Sequence, residues 1–325
     1  MHKQFDYLVN KIETAKFLNK PFKHIYIKNF FSQEDISKLL LADQINIPTM
    51  SDDKSLIKEL HKEGFKAITF PGSVTSPRKY IDWHTKKKHF SFMDSKHHAA
   101  CEGFGMVFRL VKFNDNFLED VNNFFASDKL NQTLAKKFDL SLNDCESDSG
   151  IQKYLDGYEI SPHPDVRRKA LTFMININPD QDSEKINYHT KYLKFKKEFS
   201  YIERFWSENK KIDTNWVPWS WTENVFTQTK NNSIVIFSPS SKTMHGVKAS
   251  YNHLISQRTQ IYGNLWYKNN PADNLTVEWQ NLQIQNNAIA INHTYKNKFH
   301  RIIPSQLKKL IKKAYFDRIN IRKYK

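Results

Sequence analysis

Three short segments in the second half of the chain, KALTFMININ (169–178), SIVIFS (233–238) and RTQIYGNLWY (258–267), constrain the fold most. Each is dense in β-branched and aromatic residues and too short for a typical core helix, so each reads as a strand. A β core in the second half follows. The first half has a different period. In PFKHIYIKNFFSQEDISKLLLADQ (21–44) a β-like run at 24–27 precedes a helix, with Ser32 at the N-cap, Asp35 three residues on, and Ile36, Leu39 and Leu40 at helical spacing. Residues 48–103 are rich in Lys and His and broken by Pro71 and Pro77, which predicts loops and short strands. Between 113 and 138, Phe117, Val121, Phe124 and Phe125, then Leu130, Leu134 and Phe138, predict two consecutive amphipathic helices.

Residues 180–232 read as a long insert between the first two strands. It holds a predicted helix (KYLKFKKEFSYIERFW) and the cluster Trp216, Trp219 and Trp221. These tryptophans either line a substrate groove or lid, or anchor the insert to the body. The C-terminal SQLKKLIKKAYFDRINIRKYK sets Leu307, Leu310, Ile311, Ala314 and Tyr315 on one helical face and lysines on the other. The basic face either binds phosphates or is simply solvated.

With 325 residues, 39% of them hydrophobic and 14% aromatic, the chain has material for one large domain with appendages. The division is an extension over 1–20, a core domain over 21–267 and a basic extension over 268–325. No run of 18 apolar residues occurs and charges interrupt the first twenty residues, so neither a membrane span nor a signal peptide is expected. A cytoplasmic protein is the corresponding expectation. Cys101 and Cys145 match no metal-binding spacing. The net charge of +16 points to an anionic partner or to the Lys- and Asn-rich drift of an AT-rich genome, and does not decide function.

The chemistry concentrates in SPHPDVRRKALTF, where one residue separates His163 from Asp165. In an extended segment both side chains project to one side and can share a metal. His61 and Glu63 offer the same spacing in a stretch that reads as helical, where i and i+2 diverge by roughly 200°. A facial site of two His and one carboxylate needs a distal His. His245, at the mouth of the strand 233–238, is the better candidate than His189, His253, His293 or His300. Arg258 follows thirteen residues later and starts a strand, on the neighbouring strand if 246–257 makes a hairpin-like return. A buried guanidinium there suits a bidentate pair with a carboxylate.

Taken together, these motifs resemble the Fe(II)- and 2-oxoglutarate-dependent oxygenase superfamily, in particular its prolyl-4-hydroxylase-like branch. Tyr154, Gly157, His163 and Asp165 are similar to its Y-x-x-G-x-x-x-x-x-H-x-D text, RKALTFMIN to its R-x-x-T-x-x-x-Y-L-N segment, and His245 and Arg258 to its distal H and R. The resemblance covers about residues 21–267 and implies a mainly β, α+β domain: a double-stranded β-helix (jelly roll, cupin-like) flanked by N-terminal helices and a C-terminal basic helix. It also implies Fe(II) on His163, Asp165 and His245, and Arg258 on the 5-carboxylate of 2-oxoglutarate. Tyr154 either hydrogen-bonds that cosubstrate or packs in the barrel, and Thr172 is a weaker contact. The implied reaction couples oxidative decarboxylation, with O2 as the second cosubstrate, to hydroxylation of an unactivated C–H bond. Asp165 sets the chain apart from related halogenases, which lack this carboxylate.

The family's Gly-Gly-rich connection after the H-x-D strand is absent, and the 180–232 text stands in its place. The substrate therefore stays open among a protein side chain or peptide, an amino acid and another small metabolite. Two alternatives stand beside a hydroxylase: an oxygenase or demethylase acting on nucleic acid, motivated by charge and aromatics, and a non-catalytic jelly-roll binding module.

Overall fold

The computed structural model describes residues 3–70, 72–86, 105–213 and 215–269. Helix α1 (Asp6–Thr14) precedes strand β1 (Ile25–Lys28), and helix α2 (Gln33–Leu41) follows. The Ser32 hydroxyl accepts from the Asp35 amide, satisfying one of the orphan donors at the helix start. Asp115 caps helix α5 (Asn116–Ala126) in the same way, and Ser127 caps helix α6 (Asp128–Lys137). The two helices expected over 113–138 are thus both present.

The segment 48–103 contains the expected short strand, β2 (Phe65–Ala67), but departs from expectation in also forming helix α3 (Asp53–Lys62) and helix α4 (Pro77–Lys86) in its described part. In α3, Leu56, Ile57 and Leu60 are buried at helical spacing, a stripe that the surrounding lysines mask in sequence. Pro77 begins α4 rather than breaking it, since the first turn of a helix has no use for its missing N–H. The His61–Glu63 pair lies on α3 and its C-cap, as its helical reading required.

The remaining strands are β3 (Val107–Leu110), β4 (Cys145–Tyr154), β5 (Glu159–His163), β6 (Lys169–Asn176), β7 (Lys191–Phe195), β8 (Thr222–Thr227), β9 (Ser233–Phe237), β10 (His245–Lys248) and β11 (Arg258–Tyr267). Two antiparallel sheets form, with orders β1-β9-β6-β11-β4-β3-β2 and β5-β10-β7-β8. From β4 to β11 the chain changes sheet at every connection but the β7–β8 hairpin. That alternation is the wiring of a double-stranded β-helix. One face of the larger sheet carries Leu171, Phe173, Ile175, Ile234, Ile236 and Ile261 into the same core as the N-terminal helices. At about 1.5–3 kcal/mol per fully buried large side chain, this helix-on-sheet layer is the main hydrophobic stabilisation. The other face, with Met174, Val235 and Phe237, meets Tyr192 of the smaller sheet inside the barrel.

Three further expectations change. Residues 180–232 are not an insert on the barrel, because they supply β7 and β8 of the smaller sheet. Within the helix expected at 191–206, the first five residues form β7, where Tyr192, Leu193 and Phe195 are buried, and helix α7 (Tyr201–Glu208) starts later. The 249–257 connection crosses between the sheets instead of returning as a hairpin, so His245 and Arg258 stand on different sheets. The basic C-terminal helix, His293, His300 and Cys101 lie outside the described residues. Among the described residues no helix is long and apolar enough to cross a membrane.

Candidate active site

Cross-strand pairing brings the distal histidine to the first one: His245 opens β10 directly opposite His163 at the end of β5. Their ring centroids are 4.3 Å apart. Asp165 is not extended, as the H-x-D spacing suggested, but sits past the strand end at φ 72°. A left-handed Asp is uncommon and of the kind that concentrates at functional sites. This turn aims the carboxylate at the rings, with His163 Nε2 3.4 Å from Oδ1 and His245 Nε2 3.8 Å from Oδ2. Both separations exceed a charge-assisted hydrogen bond, and the three ligand atoms lie within 4.8 Å of one another.

Hydrogen bonding fixes which ring nitrogens are available. His163 Nδ1 is 2.8 Å from the Ser161 carbonyl and His245 Nδ1 is 2.8 Å from the Thr243 carbonyl. A carbonyl only accepts, so both Nδ1 atoms carry protons, and it is the Nε2 atoms that face Asp165 as the ring donors left for a metal. Burial, then the neighbouring His163, lower the His245 pKa to about 3. Burial pushes Asp165 upward, but the Lys169 ammonium beside it holds it well below the usual carboxylate range. Lys169 Nζ donates to Oδ1 at 2.7 Å and the Thr172 hydroxyl to Oδ2 at 2.9 Å. Two imidazoles held by their Nδ1 bonds and one oriented carboxylate are a facial donor set for a divalent transition metal.

Arg258 begins β11 opposite Tyr154 and is 3% exposed. Its guanidinium lies 4.1 Å over the Tyr154 ring, and Nη2 donates to the Thr190 hydroxyl at 3.2 Å. Nη1 is buried without a hydrogen-bond partner, and no carboxylate forms an ion pair with Arg258 among the described residues. A buried, uncompensated guanidinium costs several kcal/mol, which an incoming carboxylate would relieve. The Tyr188 and Ser256 hydroxyls are likewise buried and unsatisfied.

The other sequence candidates fall in different places. Tyr154 packs under Arg258 with its hydroxyl on Gln152. Thr172 contacts Asp165, not Arg258. Trp219 lies behind the strand that carries His245: a Cβ on Gly246 would meet its ring at 2.9 Å, and its Nε1 donates to Glu159 at 2.7 Å. Trp221 stacks on Phe199 at 4.6 Å, and Trp216 is buried beside Val217, whose amide bonds to the Pro162 carbonyl. Lys169 and Thr190 were missed. The only sequence signal for Lys169 is its place four residues after Asp165, whereas Thr190 reaches Arg258 through register alone.

Asp53, His84 and His253 form a second cluster with metal-like spacing. Its hydrogen bonds fit a metal poorly. His253 Nδ1 accepts from the Asp156 amide at 2.9 Å, which puts the ring proton on Nε2, and Nε2 faces Asp53 at 2.7 Å. His84 has a carboxylate on each nitrogen, Asp53 at 2.7 Å and Asp156 at 2.9 Å. The cluster is a hydrogen-bonded clasp joining α3, α4, the β4–β5 turn and the β10–β11 connection.

No protein-family model and no curated protein sequence matches the chain. Solved structures do. A Pseudomonas putida prolyl-4-hydroxylase is 9% identical, with a TM-score of 0.36 over 82% of this chain and 100% of that one. A Trichoplax adhaerens prolyl hydroxylase in complex with a hypoxia inducible factor oxygen degradation domain peptide fragment is 12% identical, at TM-score 0.37 over 85% and 94%. HygX from Streptomyces hygroscopicus, with nickel and 2-oxoglutarate bound, is 9% identical, at TM-score 0.33 over 86% and 89%. At these identities and scores, the chemistry of the present site rests on its own geometry.

Proposed function

We propose that the chain is an Fe(II)- and 2-oxoglutarate-dependent oxygenase that hydroxylates a C–H bond of a protein side chain, an amino acid or another small metabolite. The observation that carries this is the pair of Nε2 atoms converging on one carboxylate, with a buried guanidinium in the same barrel that has no counter-ion among the described residues. His163, Asp165 and His245 would hold the metal. When bound, Fe(II), 2-oxoglutarate and O2 supply oxidative decarboxylation coupled to hydroxylation, releasing succinate and CO2. The chain's own residues bind and orient. Arg258 Nη1 and the Thr190 hydroxyl receive the far carboxylate of 2-oxoglutarate, the Tyr154 ring seats the guanidinium, and Thr172 fixes the Asp165 rotamer.

The test is calorimetric titration of 2-oxoglutarate into Ni(II)-loaded protein. One-site, metal-dependent binding is expected, weakened about 100-fold in Arg258→Met, which corresponds to the ~3 kcal/mol of a charge-assisted pair. Binding that needs no metal, or that survives loss of the guanidinium, overturns the proposal.

A further inference from the structure

Lys169 opens β6 opposite Trp266 of β11. Besides the bond to Asp165 Oδ1 at 2.7 Å, its ammonium donates to the Tyr262 hydroxyl at 2.8 Å and lies 5.5 Å from the ring centroids of both Tyr262 and Trp266. An ammonium has three N–H donors. Two are used, and the third has no hydrogen-bond partner among the described residues.

Position along β11 says where that donor points. Tyr262, Asn264 and Trp266 alternate on one face with Arg258 and Gln260. Asn264 Oδ1 is 3.2 Å from the Thr172 hydroxyl that holds Asp165, which sets the level of the proposed metal. Arg258, Gln260 and Asn264 are buried, Tyr262 and Trp266 are half-buried, the Lys169 side chain is 12% exposed and Arg168 is exposed. The strand thus runs from a closed carboxylate end to an open end, and Lys169 stands on the open side. Arg168 reaches 5.9 Å from the Trp266 centroid.

Charge gives the ligand class. Asp165 is the only carboxylate paired with Lys169 among the described residues, and a divalent metal would claim it. With 2-oxoglutarate bound, the dication and the charges of Arg258 and Lys169 exceed those of Asp165 and the dicarboxylate by one. An uncompensated charge on a side chain only 12% exposed favours an anion.

Resting on the oxygenase assignment above, we propose that the primary substrate carries an oxyanion, seated on the free N–H of Lys169 between Tyr262 and Trp266 with Arg168 at its outer edge. The anion anchors the substrate beside Asp165 and so presents a neighbouring C–H bond to the metal. A neutral or cationic substrate would leave the site charged.

The probe is trifluoroacetate, followed by 19F line width at constant ionic strength in protein loaded with Zn(II) and 2-oxoglutarate. Saturable broadening is expected in the wild type, at least tenfold weaker in Lys169→Met and retained in Lys169→Arg. Trp266→Leu gives an independent variant, expected to weaken the probe severalfold, should Lys169→Met not fold. No saturable broadening in the wild type, or broadening indifferent to both variants, overturns the proposal while 2-oxoglutarate binding stands. Failure of 2-oxoglutarate to bind the Zn(II)-loaded protein removes the oxygenase assignment and this inference with it.

Discussion

At the scale of single residues, the tautomers separate the two His–Asp clusters more sharply than distance does. His163 and His245 spend Nδ1 on carbonyls and keep Nε2 free, whereas His253 accepts at Nδ1 and must protonate Nε2. Residues that orient the ligands should then matter nearly as much as the ligands. Thr172→Val removes the donor to Asp165 Oδ2 and should weaken Co(II) binding about 10-fold or more, measured against a competing chelator. Unchanged affinity would show that Lys169 alone orients the carboxylate. Lys153 offers a test far from the metal. It is 1% exposed, donates to the Ile45 carbonyl and the Thr259 hydroxyl, and burial lowers its pKa from 10.5 to about 7. Below that value both folded and unfolded states are protonated and the full penalty, roughly 5 kcal/mol, persists. Above it the unfolded chain binds the extra proton, so stability rises with pH until about 10.5. Lys153→Met should flatten that rise in urea unfolding and gain about 2 kcal/mol at pH 6, less than the penalty because two acceptors lose their donor. An equal slope in both proteins contradicts it. Of the residues around the site, His163, Asp165, His245 and Arg258 stood out in the sequence, although the extended H-x-D segment and the hairpin return by which it related them are absent. Thr190 did not, because its partner lies 68 positions away and only the sheet wiring joins them.

At the scale of elements, the site is held from outside by packed helices. Trp83 of α4 sits against the β4–β5 turn, where a Cβ on Gly157 would meet its ring at 2.2 Å, at a φ of +79°. Gly157→Ala should destabilise by about 2–4 kcal/mol through overpacking and left-handed strain, read as a lowered urea midpoint at constant slope. A neutral result would mean that α4 yields without cost. Strands β6, β9 and β11 were legible from their β-branched and aromatic runs, whereas β4 was not singled out. β7 and β8 were not, because neither has a two-residue burial alternation and an amphipathic helix follows β7 closely. For α4, a proline that looks like a breaker is a helix start. The Arg167 guanidinium, 3.7 Å over the Trp206 ring and bonded to the Ile212 carbonyl at 2.8 Å, ties α7 to the turn bearing Asp165. Helix α7 and the donor set are thereby coupled through one side chain.

At the scale of the molecule, the charge of +16 is unevenly spread: residues 268–325 hold 12 of the 50 basic residues and only 3 of the 34 acidic ones. Polyanion binding should follow that distribution. Removing residues 270–325 should weaken a fluorescent oligonucleotide at 50 mM salt while leaving 2-oxoglutarate affinity unchanged within about threefold. Should the shortened chain bind the oligonucleotide equally well, a nucleic-acid surface on the barrel becomes the better account. The central claim is that one barrel brings a two-His, one-carboxylate donor set and a carboxylate-seeking arginine to the same ligand. Anaerobic addition of Fe(II) and 2-oxoglutarate, followed by visible absorption, tests it most directly. A weak metal-to-ligand charge-transfer band is expected in the wild type, abolished in His163→Ala and weakened in Arg258→Ala. Metal binding with no such band, or a band unaffected by either substitution, would contradict the claim.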